Sequence, residues 1–151
     1  MGFIPIIILV STFLIGIGVS SYYGLTKENI LVAFLVSNGI SLILGGLSHI
    51  FFPSIVAQNI GWTTSRHFQY EIGIANIILC ILCINTIYFR DYSILASVIS
   101  TSIWGWGNAI GHIISWKKDG NTKSGNIGWV LYLDIFMPII SIILYCIYKF
   151  T

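Results

Sequence analysis

The sequence predicts an all-α integral membrane bundle of five transmembrane helices, a four-helix core plus an N-terminal helix, as one domain over residues 1–151. Three observations carry that expectation. First, 56% of the residues are hydrophobic and only 8% charged, where a soluble domain carries about 25% charged residues to keep its surface wet. Second, the apolar residues gather in five runs, each close to the roughly 20 residues a spanning helix needs. Third, they run all the way round each stretch rather than along one stripe, and the ten-residue alternating segments of a membrane β-barrel are missing. An ordinary cytosolic enzyme, a nucleic-acid binder with a basic face and a disordered chain are thereby excluded.

The predicted spans, in order, are Phe3–Tyr22, Ile30–Phe52, Ile72–Phe89, Tyr92–Trp116 and Trp129–Tyr148. The first lacks a basic leader and its apolar run continues to Tyr23, so it reads as an uncleaved span rather than a signal peptide. Lys27-Glu28-Asn29 separates the first two spans, and Arg90-Asp91 makes a tight turn between the third and fourth. Two longer connections follow the second and fourth spans, Pro53–Glu71 and Lys117–Gly128. Aromatics at the run ends, among them Tyr22, Tyr23, Phe51, Phe52, Trp62, Tyr88, Trp116 and Trp129, suit the interfacial belt.

Arg66, Lys117, Lys118 and Lys123 fall on the side of the N-terminus, and Lys27, Arg90 and Lys149 on the other. The count favours a cytoplasmic N-terminus in a cell membrane. Small residues recur every fourth position, Ser37-Ser41-Gly45 in the second span and Ser97-Thr101-Gly105-Ala109 in the fourth. Such ridges are expected to let helices approach closely. Pro138, four residues after Asp134, removes a backbone donor, frees the Asp134 carbonyl and should kink the fifth span. Cys80 and Cys83 have dithiol spacing but lie among apolar neighbours mid-span, where they read as core packing.

A short pattern repeats. Ser48-His49-Ile50 is followed by Asn59-Ile60-Gly61-Trp62, and Gly111-His112-Ile113 by Asn126-Ile127-Gly128-Trp129. An acidic residue follows each tetrapeptide, Glu71 and then Asp134. An even number of crossings separates the units, which would make them a parallel repeat; duplication and chance similarity both stay open.

The same residues carry a family resemblance. The run Gly46-Leu47-Ser48-His49 through Pro53, then Ile60-Gly61-Trp62 and Phe68-Gln69-Tyr70-Glu71-Ile72-Gly73-Ile74-Ala75-Asn76, forms one half. Gly111-His112-Ile113, Gly125-Asn126-Ile127-Gly128 and Asp134 to Pro138 form the other. Over His49 to Pro138 the chain resembles an uncharacterised family of small prokaryotic multi-pass membrane proteins, with the first span outside the match. It departs at Ser65-Arg66-His67-Phe68-Gln69, where the family tends to read Ser-Pro-Phe-Gln, and at Ser124-Gly125-Asn126, where it tends to read Pro-Gly-Asn. The resemblance implies a polytopic membrane protein and no particular activity.

Ionisable groups at membrane depth are costly and usually face the bundle interior. Asp134, about one turn into the last span, therefore needs a partner, with His112 or His49 across the bundle the natural choice. Asn108, four residues before His112, shares its helical face. Trp104 and Trp106 lie mid-span, where an indole must place its N–H against a partner or ligand. The candidate polar cluster is thus His49, Glu71, Asn108, His112, Asn126 and Asp134 with Trp104 and Trp106.

The cluster reads as an interhelical clamp or as a pocket for a small apolar ligand or lipid, in a protein more plausibly non-enzymatic than enzymatic. No cofactor and no metal is predicted outright. A haem, metal or quinone site in a redox component, and a small-solute or proton carrier, are the alternatives. The lipid bilayer is the expected partner; nucleic acid is not.

Overall fold

The computed structural model describes the backbone from Ile4 to Thr151 and the side chains from Ile6 onward. Phe3, where the first predicted span begins, lies outside the described residues. The described residues form seven helical segments without strands: α1 Ile4–Tyr23, α2 Lys27–Phe51, α3 Pro53–Ile60, α4 Arg66–Asn85, α5 Arg90–Asp119, α6 Ser124–Ile127 and α7 Trp129–Phe150. The architecture is an all-α helical bundle. α2 packs chiefly on α4 and α5 on α7, while α1 lies against α2. Four segments are long and apolar enough to cross a membrane: Ile6–Tyr23, Lys27–Phe51, Arg66–Asn85 and Ser124–Phe150. α5 is not among them.

The element boundaries correct the sequence reading in ways that capping explains. Lys27-Glu28-Asn29 is no break but the first turn of α2. The break is Gly24–Thr26, where Gly24 takes φ +102° and the Thr26 hydroxyl caps the helix by accepting from the Asn29 N–H at 3.1 Å. The third predicted span starts too late and ends too late. Ser65 caps α4 through the Phe68 N–H, so the helix begins at Arg66, and it closes at Asn85. The tight turn is therefore Thr86–Phe89, and Arg90 and Asp91 open α5. The connection Pro53–Glu71 is largely helical. Pro53 starts α3 at a position that needs no N–H, and Gly61 ends it with φ +86°.

α5 is 30 residues long, about 45 Å at 1.5 Å per residue, and its ends lie at opposite ends of the bundle. At its start, the Arg90 guanidinium donates to the Asn29 side chain at 3.2 Å, and the Tyr148 hydroxyl donates to Asp91 at 3.0 Å. Beyond its end, the Asn121 amide donates to the Ile60 carbonyl at 2.9 Å and Lys123 to the Gln58 carbonyl at 3.0 Å. Those two side chains serve the terminal carbonyls of α3 that no helical N–H can reach.

α5 is amphipathic in reverse. Ser97, Thr101, Ser102, Gly105, His112 and Ser115 are buried, while Ile99, Ile103, Ile110 and Ile114 are exposed. Its polar residues point into the bundle, which lowers its mean hydropathy without wetting its outer face.

The small-residue ridges fare differently. On α5, Ser97, Thr101, Gly105 and Ala109 are all buried against neighbouring helices. A Cβ at Gly105 would lie 3.0 Å from the Asp134 carbonyl and 2.9 Å from the Pro138 ring. The carbonyl that Pro138 frees therefore faces the α5 backbone. On α2, the ridge Ser37-Ser41-Gly45 is not the seam, since a Cβ at Gly45 would meet nothing within 4 Å. The α2–α4 contact uses Gly39 and Gly46 instead, where added Cβ atoms would come within 2.8 Å of the Cys83 Cβ and 2.7 Å of the Gly73 carbonyl. Cys80 and Cys83 are free thiols buried in that seam.

The two halves of the bundle differ in kind. Leu31, Leu35, Ile94 and Val98 form a dry core with Ile142 and Tyr145 at the end where α2 and α5 begin. The other half surrounds a half-open cavity.

Candidate functional site

The cavity has a volume of about 650 Å3 and is walled by the second half of α2 and α5, the first half of α4 and α7, the short helices α3 and α6, and Ile8 and Leu9 of α1. Of the predicted cluster, His49, Asn108, His112, Asp134 and Trp104 line it. Ser41, Asn76, Asn38 and Trp62 join them. Neither Lys nor Arg lines it among the described residues.

Three predicted members, Glu71, Trp106 and Asn126, do not line it. Glu71 is exposed, and Gln69, Gly73 and Asn76 form the buried face of α4. Residues two apart on a helix differ by about 200°, so once Gln69 faces in, Glu71 faces out. Trp106 follows the same rule relative to Trp104. It is 41% exposed, and its N–H donates to the Ile135 carbonyl at 3.4 Å.

Asn126 does not line the cavity but governs a residue that does. It is fully buried, and its amide nitrogen donates to the carbonyls of His112 at 3.1 Å and Asn121 at 3.0 Å. With both donors spent on carbonyls, the amide orientation is fixed, and its oxygen lies 2.9 Å from His112 Nδ1. His112 Nδ1 must therefore carry a proton, which leaves Nε2 to face the site. Trp62 covers the ring from the α3–α4 connection, stacked at 5.2 Å and 26°, and its own N–H donates to the Ser115 hydroxyl at 3.2 Å.

His49 has a parallel arrangement. Its Nδ1 meets the Gln69 side-chain oxygen at 2.5 Å. In each repeated unit a carboxamide from the following segment holds the histidine by Nδ1. Gln69 and Asn76 were legible as polar residues within the motif that carries the family resemblance, but neither is ionisable, so cost alone did not single them out.

His112 and Asp134 are brought together, at ion-pair distance but without a hydrogen bond. His112 Nε2 and Asp134 Oδ2 are 3.8 Å apart, beyond hydrogen-bonding distance. Asp134 Oδ2 has no hydrogen-bond partner, and the same holds for Ser41 Oγ and Asn76 Oδ1. All three residues belong to the cavity wall. Among the described residues, no group of three or more His, Cys, Asp and Glu side chains could hold a metal ion.

The model of a family of unknown function, DUF6790, matches residues 2–151. The chain belongs to that family. The match takes in α1, which the sequence resemblance left out, so the N-terminal helix is part of the family's unit. No curated protein matches the chain, and no solved structure matches it. In this member of the family the polar groups converge on one cavity in one half of the bundle.

Proposed function

We propose that the chain is a multi-pass membrane protein with five crossings, α5 included, whose cavity receives a small ligand or lipid. Its partners on this reading are the bilayer and that ligand, and α3 and α6 lie at the cytoplasmic face. The support for five crossings is the inward-facing polar stripe of α5, which leaves isoleucines toward lipid.

One observation carries the ligand reading: the Asp134 carboxylate lies 3.8 Å from His112 Nε2 without a hydrogen bond, with an unpartnered oxygen, at the wall of a cavity of about 650 Å3. An unmet buried acceptor costs about 1–3 kcal/mol. A group that served only to clamp helices would close that gap. A group that serves an incoming ligand keeps it open, at the expense of stability.

The two readings predict opposite signs for Asp134→Leu, which keeps similar bulk and removes the unmet acceptor. Under the ligand reading, thermal unfolding in detergent moves up by a few degrees, because about 1 kcal/mol shifts Tm by roughly 2–4 °C at this size. A fall of several degrees would make Asp134 a structural clamp and overturn the proposal.

A further inference from the structure

The central cavity has a neighbour. A groove of about 480 Å3 lies between α4 and α5 on the outside of the bundle, lined by Ala75, Ile78, Leu79, Ser100, Ile103 and Gly107 together with Trp104 and Asn108. Trp104 and Asn108 also line the central cavity. These two side chains, one turn apart on α5, are therefore the wall between the inner space and the outer groove. Beside them α5 is notched. A Cβ at Gly107 would meet nothing within 4 Å. Gly107 therefore does not serve close helix packing, and the space beside it is open.

The chemistry of the two spaces differs. The groove is apolar apart from Ser100 and Asn108. The inner cavity is lined by a carboxylate, four asparagines in Asn38, Asn59, Asn76 and Asn108, two histidines and neither Lys nor Arg among the described residues. Two of its unpartnered atoms, Asp134 Oδ2 and Asn76 Oδ1, are acceptors. Such a wall repels a phosphate and favours a head that donates hydrogen bonds.

We infer that the groove is a lateral entrance from the bilayer, and that the occupant is a long-chain amphiphile with a hydroxyl or ammonium head. The head lies beside Asp134 and Asn76, and the chain leaves between α4 and α5 past Trp104 and Asn108. This inference rests on the ligand reading above and adds to it a route and a chemical class. A molecule of this kind is already dissolved in the membrane, so it reaches the site without crossing the charged loops around Lys117, Lys118 and Lys123.

The test is photolabelling of the full chain in phosphatidylcholine nanodiscs with dodecylamine, dodecanol or dodecyl phosphate, each carrying a diazirine at the chain end. The amine and the alcohol are expected to label the segments around Ile78–Leu79 and Ile103–Gly107 at least tenfold more than the phosphate does. Unlabelled dodecylamine should compete. Gly107→Trp, which fills the groove, should cut the labelling at least fivefold. Gly18→Trp should leave it unchanged, because a Cβ there also meets nothing within 4 Å but lies on α1.

Labelling spread evenly over the outer faces of α1 and α7, or equal labelling by the phosphate, overturns the inference. Peptide mapping on the unaltered chain decides this even where Gly107→Trp fails to fold. Two further outcomes separate the entrance from the site. Cavity labelling that Asp134→Asn reduces and folded Gly107→Trp leaves intact removes the entrance and keeps the site. Groove labelling that Asp134→Asn leaves intact removes the site itself, and the inference with it.

Discussion

At the scale of single residues, the two Asn-Ile-Gly-Trp tetrapeptides are equal in the sequence and unequal in the protein. Asn126 is fully buried and makes three hydrogen bonds, two as donor and one as acceptor from His112. Asn59 is exposed, at the end of α3. Asn126→Leu strands two carbonyls and one imidazole N–H in a buried place, each worth about 1–3 kcal/mol. We expect a loss of about 3 kcal/mol or more, which at this chain length is on the order of 10 °C in thermal unfolding. Asn59→Leu should shift it by less than about 2 °C, within the range of ordinary surface changes. Equal shifts for the two variants would show that Asn126 does not hold the α5–α6 corner. Much of the cluster was legible because ionisable groups inside apolar runs have few places to go. Asp134, His49, His112, Asn108 and Trp104 all reach one cavity. Glu71 and Trp106 failed for a common reason: helical phase, which a list of residue types does not carry.

At the scale of elements, the same phase problem recurs at the α2–α4 seam, and adjacent glycines expose it. The every-fourth-residue ridge pointed to Gly45. The close approach is at Gly46, whose added Cβ would lie 2.7 Å from the Gly73 carbonyl, while one at Gly45 would touch nothing within 4 Å. Gly46→Ala must push backbone against backbone and should lose about 1–3 kcal/mol, the usual range for overpacking. Gly45→Ala should be neutral or gain about 0.5–1 kcal/mol from removing a flexible residue inside a helix. Thermal unfolding of the two variants in one detergent checks the difference, and destabilisation at Gly45 alone would restore the ridge as the seam. Helix existence was readable from apolar runs, whereas helix ends were not, because Thr26, Ser65 and Gly61 decide them through caps. The short α3 and α6 are not legible in the sequence, since four to eight residues carry too little periodicity to separate from a loop.

At the scale of the whole molecule, the unresolved-by-composition element is α5, and its crossing decides the topology. Hydropathy counts four helices long and apolar enough to span. Geometry makes α5 as long as any of them and runs it from the Asn29 and Tyr148 contacts at one end to the Ile60 and Gln58 contacts at the other. Its buried serines, threonine and histidine lower an average that is taken over all faces, while its outer face is isoleucine-rich. If α5 crosses, the turn Thr86–Phe89 and the loop after Asp119 lie on opposite sides of the membrane. Arg66, Lys117, Lys118 and Lys123 then share one side and Lys27, Arg90 and Lys149 the other, which puts the loop after Asp119 in the cytoplasm by the distribution of positive charge. The check uses a chain with Cys146 replaced by Ser, because Cys146 is the exposed thiol and Cys80 and Cys83 are buried. A single new cysteine is placed at Tyr88 or at Thr122, both exposed. A membrane-impermeant maleimide applied to intact cells should label Tyr88→Cys, and should label Thr122→Cys only after permeabilisation. The reverse pattern keeps five crossings and inverts the orientation. The same pattern at both positions would mean that α5 does not cross, and the cavity would then open to water rather than to lipid along its α5 wall.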